Sequence, residues 1–218
     1  MTRFLPPLTL AAVLALSLAP LAAAEPQNFG FDKAHSEVGF DIRHIFTKVH
    51  GRFNDYSGSV SYDPANLTAS SVEVSIADSS IYTANERRDN DLRSPNFFDV
   101  AKNPAITFKS TKIIPGKDAN HFQVVGDLGM HGTTKPVTLD VEFLGVGPVG
   151  VNGHSMGMQA GFIGKTTIKR QDWGITWNRT LDQGGMMLGD DVEITLNIAA
   201  VSLDKSPSAP AAPAAEKK

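Results

Sequence analysis

Eight stretches of this chain place apolar residues at every second position, and no other feature constrains the fold as tightly. Val38, Phe40 and Ile42 alternate with Gly39, Asp41 and Arg43. Tyr56, Gly58, Val60 and Tyr62 alternate with serines, and Val72, Val74 and Ile76 with Glu73 and Ser75. Ile106 and Phe108 form a short run. Phe122, Val124, Gly126 and Leu128 share one parity. So do Val137, Leu139, Val141 and Phe143, then Met156, Met158, Ala160 and Phe162, then Val192, Ile194, Leu196 and Ile198. In a β-strand successive side chains point to opposite faces, so each run has one apolar and one wet face. Eight such strands predict an all-β chain whose antiparallel sheet closes on itself as an eight-stranded barrel. A two-sheet sandwich is the alternative.

One stretch departs from this period. Residues 83–93 read TANERRDNDLR, with Thr83 and Glu86 spaced as a capping box. A short polar helix over residues 85–93 is predicted, lying near one barrel mouth. Pro95 ends it, and Phe97 and Phe98 follow, either plugging that mouth or serving as core under a loop.

Both ends separate from the barrel. Residues 1–24 combine Arg3, an uncharged apolar run and Ala22-Ala23-Ala24, the pattern of a cleaved secretory signal peptide. The apolar run is short for a membrane span, so no permanent anchor is expected. Residues 204–218 are rich in Pro and Ala without apolar periodicity and are predicted to be a disordered tail. The barrel domain is therefore assigned to residues 25–203.

Composition narrows the chemistry. The absence of cysteine excludes disulfides, a thiol nucleophile and thiolate metal sites. A formal net charge of −3 without a basic run argues against nucleic-acid binding. His44 and His50 could meet a carboxylate in space, but no metal-binding motif is present, and lone histidines in strands are more often structural. No nucleophile elbow, phosphate loop or dinucleotide fingerprint occurs, so neither catalytic residues nor a cofactor is assigned. Gly145, Gly147, Gly150 and Gly153 read as a loop between strands.

Several blocks nevertheless occur in a telling order. They are Gly51-Arg52-Phe53, Arg88-Asp89, Leu92-Arg93-Ser94, Phe97-Phe98-Asp99-Val100 and Pro104 with Thr107-Phe108. Gly132-Thr133-Thr134-Lys135-Pro136, Ala160-Gly161-Phe162 and Gly189-Asp190-Asp191-Val192-Glu193-Ile194 follow. Together, over about residues 28–202, they resemble the YceI family. That resemblance implies an elongated, lipocalin-like barrel that binds a polyisoprenoid or related long-chain amphiphilic lipid in a central pore. It also implies a periplasmic or secreted location and no established catalytic residue. The family often carries R-D-x-H-L where this chain has Arg88-Asp89-Asn90-Asp91-Leu92, so any role for that histidine is absent here.

Side-chain parity then nominates the pore wall: Phe40, Ile42, Val60, Val74, Ile76, Phe97, Phe98, Ile106, Phe108, Val124, Leu128, Val141, Phe143, Met156, Met158, Ala160, Phe162, Ile194 and Leu196. The small residues Gly58, Gly126 and Ala160 are expected to leave room along the axis. Each buried methylene contributes about 0.8 kcal/mol, so a long chain needs few polar contacts. Arg87, Arg88 and Arg93 are headgroup candidates, because guanidinium forks pair with phosphate. In the competing reading Arg88 and Asp89 form an ion pair that anchors the helix. Trp173 and Trp177 either line the other end or simply pack. A lipid carrier is the leading function. The alternatives are an enzyme of isoprenoid or quinone metabolism with a buried His–carboxylate site, and a filled-barrel structural or stress protein. Pairing of barrel edges would make a homodimer.

Overall fold

The computed structural model describes residues 26–204. The signal-peptide assignment and all but the first residue of the tail assignment lie outside the described residues. Asp204 itself is tied to the barrel: its carboxylate accepts a hydrogen bond from the Asn28 N–H at 2.9 Å.

The strands run in chain order as β1 (Gln27–Phe31), β2 (Glu37–His44), β3 (Thr47–Phe53), β4 (Tyr56–Tyr62), β5 (Ser71–Ala77) and β6 (Ile81–Tyr82). After helix α1 (Glu86–Arg93) come β7 (Ala105–Pro115), β8 (His121–Met130), β9 (Thr133–Val151), β10 (His154–Lys169) and β11 (Leu188–Ser202). The first six are three long strands, each broken once. β1 and β2 lie end to end along the same edge of β11, pairing Phe31 with Ala200 and Ile42 with Val192. β4 pairs with β1 and β3 with β2, while β5 and β6 extend the next strand. Eight antiparallel strands thus follow one another around the wall, and the β1–β11 pairing closes it. The closed eight-stranded barrel holds, and the sandwich does not.

Two of the three breaks coincide with a 3-10 turn. Asp32 interrupts the first strand, its carboxylate accepting from the Ala34 N–H at 3.0 Å and thereby stabilising a single 3-10 turn. A second 3-10 turn, Asp78–Ser80, separates β5 from β6. Breaks of this kind let strands bend around a closed wall.

Strand 105–109 of β7 pairs with β5, but β6 pairs only with β3. The wall is therefore open beside β6, and α1 covers that gap with the segment after it. The helix begins one residue later than predicted. Its N-cap is Asn85, whose side chain accepts from the Arg88 N–H at 3.0 Å. Thr83 does not cap it. Thr83 is buried and donates both its N–H and its hydroxyl to Asp89, at 2.8 and 2.5 Å.

β9 and β10 outrun their neighbours. Beyond Glu142, β9 no longer pairs with β8 and continues with β10 alone to a turn at Asn152 and Gly153, with φ of 51° and 80°. Both turn residues adopt the left-handed region that a two-residue hairpin requires. Gly145, Gly147 and Gly150 therefore lie in a strand, contrary to the loop reading, and only Gly153 is in the turn. The N-G dipeptide was the missed signal.

Candidate functional site

A cavity of about 890 Å³ runs along the barrel axis. Of the nominated wall residues, Phe40, Ile42, Val60, Val74, Ile76, Phe97, Phe98, Ile106, Phe108, Val124, Leu128, Val141, Phe162, Ile194 and Leu196 line it. Val74, Ile76, Val141, Ile194 and Leu196 face inward yet remain only half-buried. Their residual exposure is to the lumen, so the barrel has an unfilled axis.

Four nominated residues lie elsewhere. Ala160 packs with Phe29 and Ala200 in a separate small core, which Met158 flanks. Met156 is exposed on the β9–β10 ribbon. Phe143 stacks between the rings of Tyr62 and Phe162, at 5.2 and 5.4 Å. Alternation does not fix height: Phe143, Met158 and Ala160 sit outside the lumen's lining, and at Met156 a register shift between Ser155 and Met158 interrupts the alternation itself. Gly58 and Gly126 leave no room above themselves either. A Cβ at Gly126 would fall 2.4 Å from the Phe108 ring, one at Gly58 2.5 Å from Phe31, and one at Gly51 2.3 Å from Phe40. These inner-face glycines instead let three phenylalanine rings lie flat on the wall, which keeps them out of the axis.

The lining changes character along its length. At the α1 end it includes Thr83, Asn85, Arg87, Arg88, Asp91 and Asn96, with His44 and Arg179. Asn85, Arg87, Asn96 and Arg179 are also exposed to solvent, so the cavity opens here. The rest of the wall is almost wholly aliphatic and aromatic, down to Leu67, Ser70 and Ser71.

The three candidate arginines have separate fates. Arg93 donates to the backbone carbonyls of Ser79 and Ile81, at 2.8 and 2.7 Å, and does not line the cavity. It fastens α1 to the broken strand. Arg88 binds Thr83 through Nε and Nη2, at 2.7 and 2.6 Å, leaving Nη1 without a protein acceptor among the described residues. Arg88 and Asp89 make no ion pair; both hold Thr83 instead. Arg87 has no hydrogen-bond acceptor among the described residues, and neither does the Arg179 guanidinium, which lies 5.7 Å from the Trp177 ring centroid. Arg179 was not foreseen.

Phe97 is buried with its ring 5.2 Å from Trp177, and Phe98 meets Phe53 edge-on at 5.9 Å. Both line the cavity at the helix end. Trp177 is therefore at the α1 mouth, not the far end. Trp173 packs in the core and donates Nε1–H to the Leu128 carbonyl at 3.0 Å.

Two buried ionic residues escaped the sequence reading. Arg170 is 4 % exposed and lines the cavity. Its Nε donates to the Gly189 carbonyl at 2.9 Å, its Nη1 to the Ile175 and Trp177 carbonyls at 2.8 and 2.9 Å, and its Nη2 to Asp190 at 3.1 Å. Burial pulls its pKa down, while Asp190 acts in the opposite direction. One rigid fork thus ties the 174–189 segment across the mouth, a task a lysine cannot repeat. Arg170→Met is expected to cost about 2–3 kcal/mol in urea unfolding, because three carbonyls lose their donor, and Arg170→Lys should recover less than half. Full recovery by lysine would show that charge alone matters.

Asp78 is fully buried in the β5–β6 break, and neither carboxylate oxygen has a hydrogen-bond partner among the described residues. Burial raises its pKa to about 7; the nearby Ile106 N–H offsets this only in part.

Histidine chemistry does not converge on the lumen. His35, His50 and His121 pair with Asp32, Asp41 and Asp118 at exposed positions. His44 lines the mouth, whereas His50 is exposed on the outer face. Among the described residues no group of three potential metal ligands assembles.

Comparison with known proteins agrees with this architecture. Solved structures of similar fold include Burkholderia cenocepacia BcnA, with a TM-score of 0.67 at 24% identity over 78% of this chain and 99% of that one. The Campylobacter jejuni YCEI protein matches with a TM-score of 0.62 at 32% identity, over 80% and 96% of the two chains. A domain from Saccharophagus degradans described as polyisoprenoid binding matches with a TM-score of 0.56 at 16% identity, over 82% and 99%. Among sequences, a UPF0312 protein of Staphylococcus epidermidis is 40% identical over 76% of this chain and 92% of its own length. A Vibrio cholerae UPF0312 protein is 39% identical over 76% and 85%. The YceI-like domain model matches residues 29–200, nearly the whole barrel, and the chain belongs to that family.

Proposed function

We propose that this protein holds a polyisoprenoid or similar long-chain amphiphilic lipid in its lumen, tail inward and headgroup at the α1 mouth. One observation carries the reading: a continuous apolar lumen whose charged and amide side chains gather at its open end. A chain of many methylenes gains affinity along such a wall, while a polar head stays where water reaches it. The polyisoprenoid-binding description of the Saccharophagus degradans domain, which shares this fold, supports the ligand class. The nominated wall residues that face the lumen would contact the chain. Arg87, Nη1 of Arg88 and the unforeseen Arg179 would meet an anionic head. Secretion by the proposed signal peptide would place the protein in the periplasm, where such a lipid needs carriage, storage or sequestration. We assign no reaction.

Native mass spectrometry of the purified protein, followed by organic extraction, tests the reading; a stoichiometric long-chain lipid is the expected result. Replacing Arg87 and Arg179 together by Gln should then weaken a pyrophosphate-bearing chain about tenfold more than a neutral chain of equal length, since only charge-assisted bonds are lost. Arg93→Gln should affect both ligands alike, because it loosens the helix. Equal losses in the double variant would remove the arginines from headgroup binding.

A further inference from the structure

Phe46 is 96 % exposed, the most exposed of the large apolar side chains at the mouth. It stands at the turn between β2 and β3, two residues beyond His44, which lines the cavity. This turn is firmly built. Ile45 adopts a φ of 55°, uncommon for a β-branched residue. Its N–H donates to the Met187 carbonyl at 2.8 Å, and its carbonyl accepts from Arg43 Nη1 at 2.9 Å. An exposed aromatic held on a strained, pinned turn calls for a purpose that packing does not supply.

The neighbouring turn is of the same kind. Met186 is 51 % exposed, and the adjacent Met187 lines the cavity. The Met187 N–H donates to the Arg179 carbonyl at 2.8 Å. Phe46, Met186 and Arg179 therefore belong to two hydrogen-bonded turns on one rim, and Arg87 lies on the same mouth.

We propose that this rim, with Phe46 and Met186 as its apolar prongs and Arg87 and Arg179 behind them, docks the mouth onto a lipid bilayer. The proposal rests on the lipid-binding reading above. A long-chain lipid has almost no population in water, so it must pass between bilayer and lumen at the open end. Aromatic and apolar side chains entering the headgroup boundary, with arginines at phosphate level, are the usual elements of interfacial attachment.

Charges at the rim set the expected selectivity. Glu86 and Asp182 lie close in the chain to Arg87 and Arg179 without forming an ion pair with them, and Asp91 accepts from Asn96. Asp190, Asp191 and Glu193 on the adjoining wall are already paired with Arg170, Lys169 and Lys48. Net charge at the rim is small, so attachment should depend more on Phe46 than on salt.

A second exposed apolar feature competes. The β9–β10 ribbon at the opposite end shows Leu144, Val149, Val151 and Met156. No residue from 143 to 164 is Asp, Glu, Lys or Arg, and the ribbon's tip does not line the cavity. It offers neither a cation for phosphate nor a route to the lumen.

The test measures flotation of the full protein with vesicles of phosphatidylethanolamine and phosphatidylglycerol, and with phosphatidylcholine vesicles. Phe46→Asp should lower partition at least about tenfold on both, Phe46→Leu by no more than a few-fold, and Val151→Asp very little. Loading of a fluorescent polyprenyl phosphate from vesicles should slow with Phe46→Asp by a similar factor, while loading from detergent micelles stays unchanged. Unaltered partition and loading in Phe46→Asp would overturn the proposal, as would a loss caused by Val151→Asp alone. Failure to load from either source would defeat the lipid-binding reading, while flotation still judges the docking face.

Discussion

A tryptophan in place of Val74 is expected to leave the barrel folded and empty of lipid. Val74 sits on the inner wall, lines the cavity and is only half-buried, so its indole would project into unfilled space. Overpacking costs arise when added atoms meet a filled core. Here they meet a lumen of about 890 Å³, and the lipid-free protein should lose less than about 1 kcal/mol. The bound lipid, competing for the same volume, should fall at least about tenfold in organic extracts. Ala160→Trp makes the contrasting case. Ala160 shares its inward parity but packs against Phe29 and Ala200, at 5 % exposure in a closed cluster. There the indole has no space, and a loss of about 1–3 kcal/mol or more is expected without selective loss of lipid. Thermal melts of both delipidated variants beside their lipid content check this. A strong destabilisation by Val74→Trp would mean that the barrel axis closes when lipid leaves.

The difference between Val74 and Ala160 also marks how far the sequence could be read. Alternation in period two determines which face of a strand a residue occupies, so the closed sheet and most of the wall were legible. It does not determine position along the barrel axis. Met156, Met158 and Ala160 carry the inward signature, yet β10 reaches past the lumen, where Ala160 and Met158 belong to a small separate core and an irregularity in pairing precedes Met158, leaving Met156 exposed. Glycines misled in a related way. Gly126 looked like vacant space, but its missing Cβ is where the Phe108 ring lies. The helix was placed within a residue because its polar run is a local feature, although the Thr83–Glu86 spacing pointed to the wrong cap. The partners of Arg88, Arg93 and Arg170 are mainly backbone carbonyls, which every residue carries, so no residue pattern announces them. Arg179 was hidden for the same reason: only the hydrogen bonds between two turns bring it to the mouth.

Asp78 provides the second large expectation, a stability that declines as pH rises toward neutrality. Its folded pKa is about 7, against an ordinary value of 3.8. Between these values the folded protein keeps a proton that the unfolded chain has released. Stability therefore falls with rising pH across this window, because the native state binds more protons, and levels off above it. A three-unit shift sets an upper bound of about 4 kcal/mol, and water reaching the carboxylate would reduce this to about 2. Asp78→Asn keeps the shape and cannot ionise. Relative to wild type it should gain about 1–2.5 kcal/mol between pH 5 and pH 8, measured by urea unfolding at each pH. Parallel profiles for the two proteins would show that Asp78 is solvated or partnered in solution. The location of the loss is also expected to be specific. Ser79, inside the Asp78 turn, and Ile81, immediately after it, supply the two carbonyls that Arg93 uses to fasten α1. Ionising Asp78 should first loosen that attachment, so amide exchange in α1 should accelerate above pH 7 before exchange in β8 or β9 does. Because α1 forms one side of the lumen's mouth, the same step would widen the opening through which a lipid leaves.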